Sequence, residues 1–248
     1  MYILAIETTG PHCSVAIINE TGHGAARVSE GTLNHLQNLT PMIEEILGYY
    51  SISFDELEAI AVSQGPGSFT GIRIGVTTAR ALCQAKDIPA IAVPTLESFV
   101  YADKNYRGVI VPMFDARRSQ VYAGAYRWNG GYPEQVVAGG AYTLTEFLEK
   151  LTSSINDITD EDMLREVTLY GDGCAAYGDT AEEHLDKNGI TCVINGSTQH
   201  AKYIAKLGLE MYNSGKTLEF GQLHPEYMRK AEAERKREER LKNESADN

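Results

Sequence analysis

Two carboxylates stand out by where they fall. Glu7 closes the apolar run Met1–Ile6 and leads into Thr8-Thr9-Gly10-Pro11; Asp115 closes Val109–Phe114 and leads into Ala116-Arg117-Arg118-Ser119. Each turn is followed by another β-rich stretch, Cys13–Ile18 after the first and Gln120–Trp128 after the second. Two acids at the ends of matching strands, set across a cleft, could hold a metal-bound water against a phosphate. They could equally do no more than open hairpin turns. Between them lies Gly65-Pro66-Gly67-Ser68-Phe69-Thr70-Gly71-Ile72-Arg73-Ile74-Gly75, a glycine-rich link from a strand to a helix. Such a link is either a tight crossover or an anion-binding loop whose free N–H groups meet a ligand. No Lys-Ser or Lys-Thr follows Gly71, and Thr70 stands at the third glycine of a dinucleotide fingerprint, so it matches neither common phosphate motif. The residues that would touch a bound ligand are Glu7, Gly65, Gly67, Gly71 and Asp115; nothing in the pattern calls for a particular cofactor.

Other chemistries lack their residues. The six histidines show no His-x-x-x-His or His-Glu-x-x-His spacing, and the four cysteines no Cys-x-x-Cys, which disfavours a metal or redox pair. Ser63, Ser68 and Ser119 have no Gly-x-Ser-x-Gly context, so a serine nucleophile has no support.

The elements that must position these residues follow from periodicity. Ala59–Ser63, Ala90–Val93 and Val167–Tyr170 read as strands. Leu33–Tyr50 carries a helical stripe of Leu36, Leu39, Ile43, Ile46, Leu47 and Tyr50; Pro41 either kinks that helix or starts a new one capped by Thr40. Further helices are expected over Ile72–Lys86, from Pro94 to about Ala102, and over Leu144–Leu151, Gln199–Asn213 and Tyr227–Lys242, the last charged on every side. Strand, acid, turn, strand therefore occurs twice, which suggests a duplicated α/β architecture. The polar stretch Lys104–Gly108 divides it into lobes 1–103 and 104–225, with a charged tail 226–248.

The 248 residues, 43% of them apolar, suffice for one large domain or two lobes. A net charge of −12 and a pI near 5.0 argue against a protein that grips nucleic acid by itself. No basic, apolar start and no apolar run of ~18 residues is present, so a cytoplasmic protein without a membrane span is expected.

Taken together, Ile3–Thr9, Cys13–Ile18, Ser63–Gly75, Ile88–Phe99, Phe114–Tyr126, Leu169–Gly173 and Pro225-x-Tyr227-x-Arg229 resemble the TsaB family, in that order and at matching separations over nearly the whole chain. The resemblance implies the duplicated, two-lobed actin-like ATPase (ribonuclease H-like) fold, and a non-catalytic paralogue of TsaD, the tRNA threonylcarbamoyl transferase. TsaD holds its metal with two histidines after the strand equivalent to Ala90–Val93. Thr95 and Phe99 stand in those places here, and neither suits zinc or iron. The family implies an accessory subunit that activates TsaD, with the TsaE ATPase as a second partner and tRNA reached only through the complex. A homodimer is implied when TsaD is absent. Interface residues would come from the first two long helices: His35, Leu36, Leu39, Ile43, Ile46, Arg73, Ile74, Thr78, Ala81 and Ala85. The alternative is an active nucleotide-hydrolysing or glycoprotease-like enzyme of the same fold.

Overall fold

The computed structural model describes residues 1–31, 34–160 and 162–229. The chain opens with an antiparallel meander of β1 (Tyr2–Glu7), β2 (Ser14–Asn19) and β3 (Gly24–Val28). Helix α1 (His35–Tyr49) then leads to β4 (Leu57–Gly65), which pairs parallel to β1, and α2 (Phe69–Lys86) leads to β5 (Ala90–Pro94), parallel to β4. The sheet order is β3-β2-β1-β4-β5.

The second half repeats this plan. A meander of β6 (Val109–Asp115), β7 (Gln120–Asn129) and β8 (Tyr132–Thr143) is followed by α4 (Leu144–Asn156), β9 (Glu166–Tyr170), α5 (Cys174–Lys187) and β10 (Thr191–Ile194). Its order, β10-β9-β6-β7-β8, is that of the first sheet read from the other end. Two copies of this meander-and-crossover sheet make the duplicated actin-like, ribonuclease H-like α/β fold.

Strand β1 shows why the sequence packs this way. Ile3, Leu4, Ala5 and Ile6 have no exposed surface, as a central strand covered on both faces requires. Alternation splits them: Leu4 and Ile6 join the core under α1 and α2, whereas Ile3 and Ala5 face the core shared with the other lobe. That second face is covered by α6 (Ala201–Asn213), a late helix that lies on β1, β2, β4 and β5. Gly208 lets it sit close: a Cβ there would lie 2.7 Å from Ala61 Cβ. Among the described residues no helix is long and apolar enough to cross a membrane.

The lobes meet through the segment after β5. A single helical turn, α3 (Thr95–Ser98), tightens into a 3-10 turn over Phe99–Ala102 instead of running as one helix. Phe99 is fully buried there, its ring centroid 5.7 Å from Phe114, 5.8 Å from Tyr170 and 5.2 Å from Tyr203. Trp128 Nε1 donates to Val100 O at 2.9 Å.

Several boundaries differ from the sequence reading. Helix α1 is one helix with Pro41 inside it; Gln37 and Pro41 both lie on its exposed side, where solvent can take the carbonyl the ring leaves unpaired. Helix α2 starts at Phe69 rather than Ile72 because Ser68 caps it, its Oγ accepting from Gly71 N at 3.2 Å. Helix α4 runs past Leu151 to Asn156, since Ile155 extends its buried stripe. Of the charged tail, Tyr227–Arg229 is described and is not helical; Lys230–Lys242 lies outside the described residues.

Candidate functional site

The turn after β1 folds back over its own acid. Glu7 has no exposed surface, and its Oε1 accepts from Thr9 N and from Thr9 Oγ1 at 2.6 Å. Burial raises its pKa, and the bonds from Thr9 offset only part of that. Oε2 has no hydrogen-bond partner among the described residues. A carboxylate enclosed this way is held inside the lobe, away from the cleft lining.

The glycine loop packs directly on that turn. A Cβ on Gly71 would collide with Thr8 O, and one on Gly75 with Thr8 Oγ1. Thr8 Oγ1 also donates to Gly71 O at 2.7 Å, and Ser68 N to Thr9 O at 2.8 Å. Gly67, at φ 153°, places its α-carbon where a side chain would stand 2.6 Å from Thr9 Cβ. The glycines thus serve the crossover from β4 to α2 by permitting contact with residues 8 and 9. In the second lobe Gly171 and Gly173 stand at the same point of the fold and press on Met113 O.

Asp115 has a different setting from Glu7. It lines the interlobe cleft, its Oδ1 accepting from Arg117 N at 2.7 Å and from Tyr177 Oη at 3.1 Å. Arg117 closes an ion pair with its Oδ2 at 3.1 Å. Arg117, Arg118 and Ser119 all have positive φ, 65°, 55° and 55°, a left-handed turn that costs roughly 1–2 kcal/mol per residue. Asp115 N donates to Asp172 Oδ1 at 3.3 Å; enclosure, then the nearby Asp115 charge, raises the Asp172 pKa. Glu7 and Asp115, alike in sequence, are not brought to one lining: one is sealed and one is open.

The cleft between the lobes measures about 440 Å³ and is lined in part by the chain's own C-terminal segment. Glu226 N donates to Gln64 O at 2.8 Å, and Gln64 Nε2 to Glu226 Oε2 at 2.7 Å. Tyr227 stacks on Phe69 with centroids 4.4 Å apart, and Arg73 donates from Nε to Tyr227 Oη at 2.8 Å while lying over the Phe69 ring. Arg229 then reaches the other lobe, donating to Ala116 O at 2.8 Å. A nucleotide placed in this cleft would fit these residues poorly. The first acid is sealed, the glycine loop is filled by Thr8 and Thr9, and the Glu226 carbonyl blocks any approach to Gly65. The sequence reading passed over Tyr227 and Arg229 as site residues; only the Pro-x-Tyr-x-Arg pattern signalled them.

Thr95 and Phe99, the positions expected to correspond to metal-binding histidines, both serve packing. Thr95 is buried with Oγ1 accepting from Gly65 N at 3.2 Å, and Phe99 fills the interlobe aromatic cluster. No group of three His, Cys, Asp or Glu side chains that could hold a metal occurs among the described residues.

The residues named for an interface fall in two sets. Leu39, Ile43 and Ile46 face the first-lobe core, and His35 is buried with Nε2 on Gly10 O at 2.9 Å. Leu36 is 77% exposed; Ala81 and Ala85 are exposed and Ile74 and Thr78 half-buried on the outer side of α2, while Arg73 is exposed yet engaged with Tyr227.

Comparison with known proteins adds to this geometry. Residues 29–237 match the family model described as TsaD, tRNA N6-adenosine threonylcarbamoyltransferase. A tRNA threonylcarbamoyladenosine biosynthesis protein TsaB from Bacillus subtilis is 34% identical over 239 residues, covering 95% of this chain and 97% of that protein. The Escherichia coli TsaB is 35% identical over 145 residues, 55% of this chain and 62% of its own. A Pseudomonas aeruginosa crystal structure, described as similar to peptidase YeaZ, superposes with a TM-score of 0.72 at 23% identity over 92% of this chain and 99% of that one. With identity sustained from end to end on this fold, the chain belongs to the TsaB family.

Proposed function

We propose that this chain works in threonylcarbamoyladenosine synthesis on tRNA as a non-catalytic, cytoplasmic accessory subunit that binds and activates TsaD. The observation that carries this reading is the use made of Thr95 and Phe99. Both stand where TsaD would place metal ligands, and both are committed to packing, one to the glycine loop and one to the interlobe core. A transferase built on this chain would need donors where a buried aromatic ring and a hydroxyl already bonded to Gly65 now stand. The relatives' names support the pathway, and the acidic balance supports reaching tRNA through a partner.

The docking face in this reading is the outer side of α1 and α2. Leu36 offers an exposed apolar anchor, and Ala81 and Ala85 let a partner helix approach to the short end of ~8–10 Å. The same face pairs two copies of the chain when TsaD is absent, and TsaE joins the assembled pair. Ala81→Glu and Leu36→Asp alter exposed positions and leave the lobe core intact. Titrated against TsaD by sedimentation, each is expected to weaken binding at least tenfold while the variant's own unfolding curve stays unchanged. Wild-type affinity in both variants would move the interface elsewhere.

A further inference from the structure

We infer that Glu226–Arg229 is a built-in occupant of the interlobe cleft, a clasp that holds the two lobes at one angle and stands where an actin-like fold would admit a nucleotide. The inference concerns the chain by itself and does not depend on its partners.

The segment is anchored before it enters: Leu223 has no exposed surface and belongs to the core of the first lobe. It then adds two bonds between Glu226 and Gln64, and the Phe69–Tyr227–Arg73 stack, all on the first lobe. Met228 packs into the core between the lobes. Arg229 finishes on the carbonyl of Ala116, in the left-handed turn of the second lobe. Anchor, crossing and far anchor lie within seven residues, so a change in lobe angle must break contacts on one side. Gly65 is part of the same arrangement, because any side chain there would strike the Glu226 carbonyl.

The clasp has an advantage over a free ligand. Tethered at Leu223, it competes at an effective concentration on the order of millimolar. It also needs no phosphate: the cation-and-ring stack uses Arg73, which an incoming triphosphate would otherwise attract.

The test uses the full chain and trypsin, with cleavage after Arg117 and Arg118 read by mass spectrometry. This turn lines the cleft beside the clasp. Tyr227→Ala combined with Arg229→Ala is expected to speed cleavage there at least tenfold and to raise the radius of gyration in small-angle scattering. Tyr227→Phe with Arg229→Lys keeps ring and cation and is expected to behave as the parent chain. Should the double alanine variant fail to fold, Arg229→Ala alone, which removes one half-buried bond, gives the same readout and is expected to speed cleavage at least threefold. Unchanged cleavage and scattering in the folded alanine variant overturns the inference. So does protection of the 117–118 turn in the parent chain by micromolar magnesium-ATP, since that would place a nucleotide where the clasp lies.

Discussion

Glu7 bears a cost that its neighbours only partly offset. One carboxylate oxygen accepts both bonds from Thr9, the other has no partner among the described residues, and the group lies wholly inside the lobe. Its folded pKa is therefore raised above the ordinary 4.5 by loss of solvent. Between 4.5 and that raised value the folded chain keeps a proton that the unfolded chain has released. Stability contributed by this group is greatest below the unfolded value and falls as pH rises through the window. Glu7→Gln keeps an acceptor for Thr9 without the charge. Its stability relative to the parent is expected to grow with pH from 4.5 upward, by at most ~1.4 kcal/mol per unit inside the window. Urea midpoints from pH 4.5 to 8 check this, and a gap that does not change with pH contradicts it. Nothing in the sequence separates Glu7 from Asp115, because both end a strand before a turn. What separates them is that the turn over Glu7 is pinned by the glycine loop, through Gly71 O and Ser68 N far along the chain, whereas the turn after Asp115 leaves its acid on the cleft lining.

At the scale of elements, the two link segments after β4 and β9 do the same job with different letters. Gly71 and Gly173 each let a helix start against the end of a neighbouring strand, at Thr8 O and Met113 O. Gly71→Ala is expected to lose about 3 kcal/mol or more, because its Cβ would land on backbone that cannot move aside. Gly48, in the last turn of α1, faces open space, and Gly48→Ala is expected to gain about 0.5 kcal/mol. Thermal unfolding of the pair checks both signs; a harmless Gly71→Ala would mean the helix can shift. The glycine run was visible in the sequence and its two readings were not separable there, since contact with Thr8 and Thr9 is a long-range fact. Strands β3 and β10 left little trace because they are short, mostly exposed edges. Helix α5 was hidden by its small buried residues, Cys174, Gly178 and Ala181, which give a weak apolar stripe.

Across the whole molecule, the duplication was legible because both halves repeat strand, acid, turn and strand, whereas the junction was not. Helix α6 lies on the sheet of the first lobe, and Phe99 reaches into the second, so the halves exchange parts of their cores. Phe99→Ala removes the centre of that exchange and is expected to cost about 3–5 kcal/mol, read from urea unfolding. A loss below 1 kcal/mol would mean the lobes hold together without it. The same residue bears on the proposed function, which turns on Phe99 and Thr95 standing where metal ligands are expected in TsaD. The most direct measurement is threonylcarbamoyl transfer to tRNA in a reaction assembled from purified parts, run with TsaD and TsaE, with this chain added, and with this chain alone plus zinc or iron. The proposal expects modification to rise at least tenfold when the chain joins TsaD and TsaE, and none from the chain by itself. Modified tRNA from the metal-loaded chain alone would contradict it.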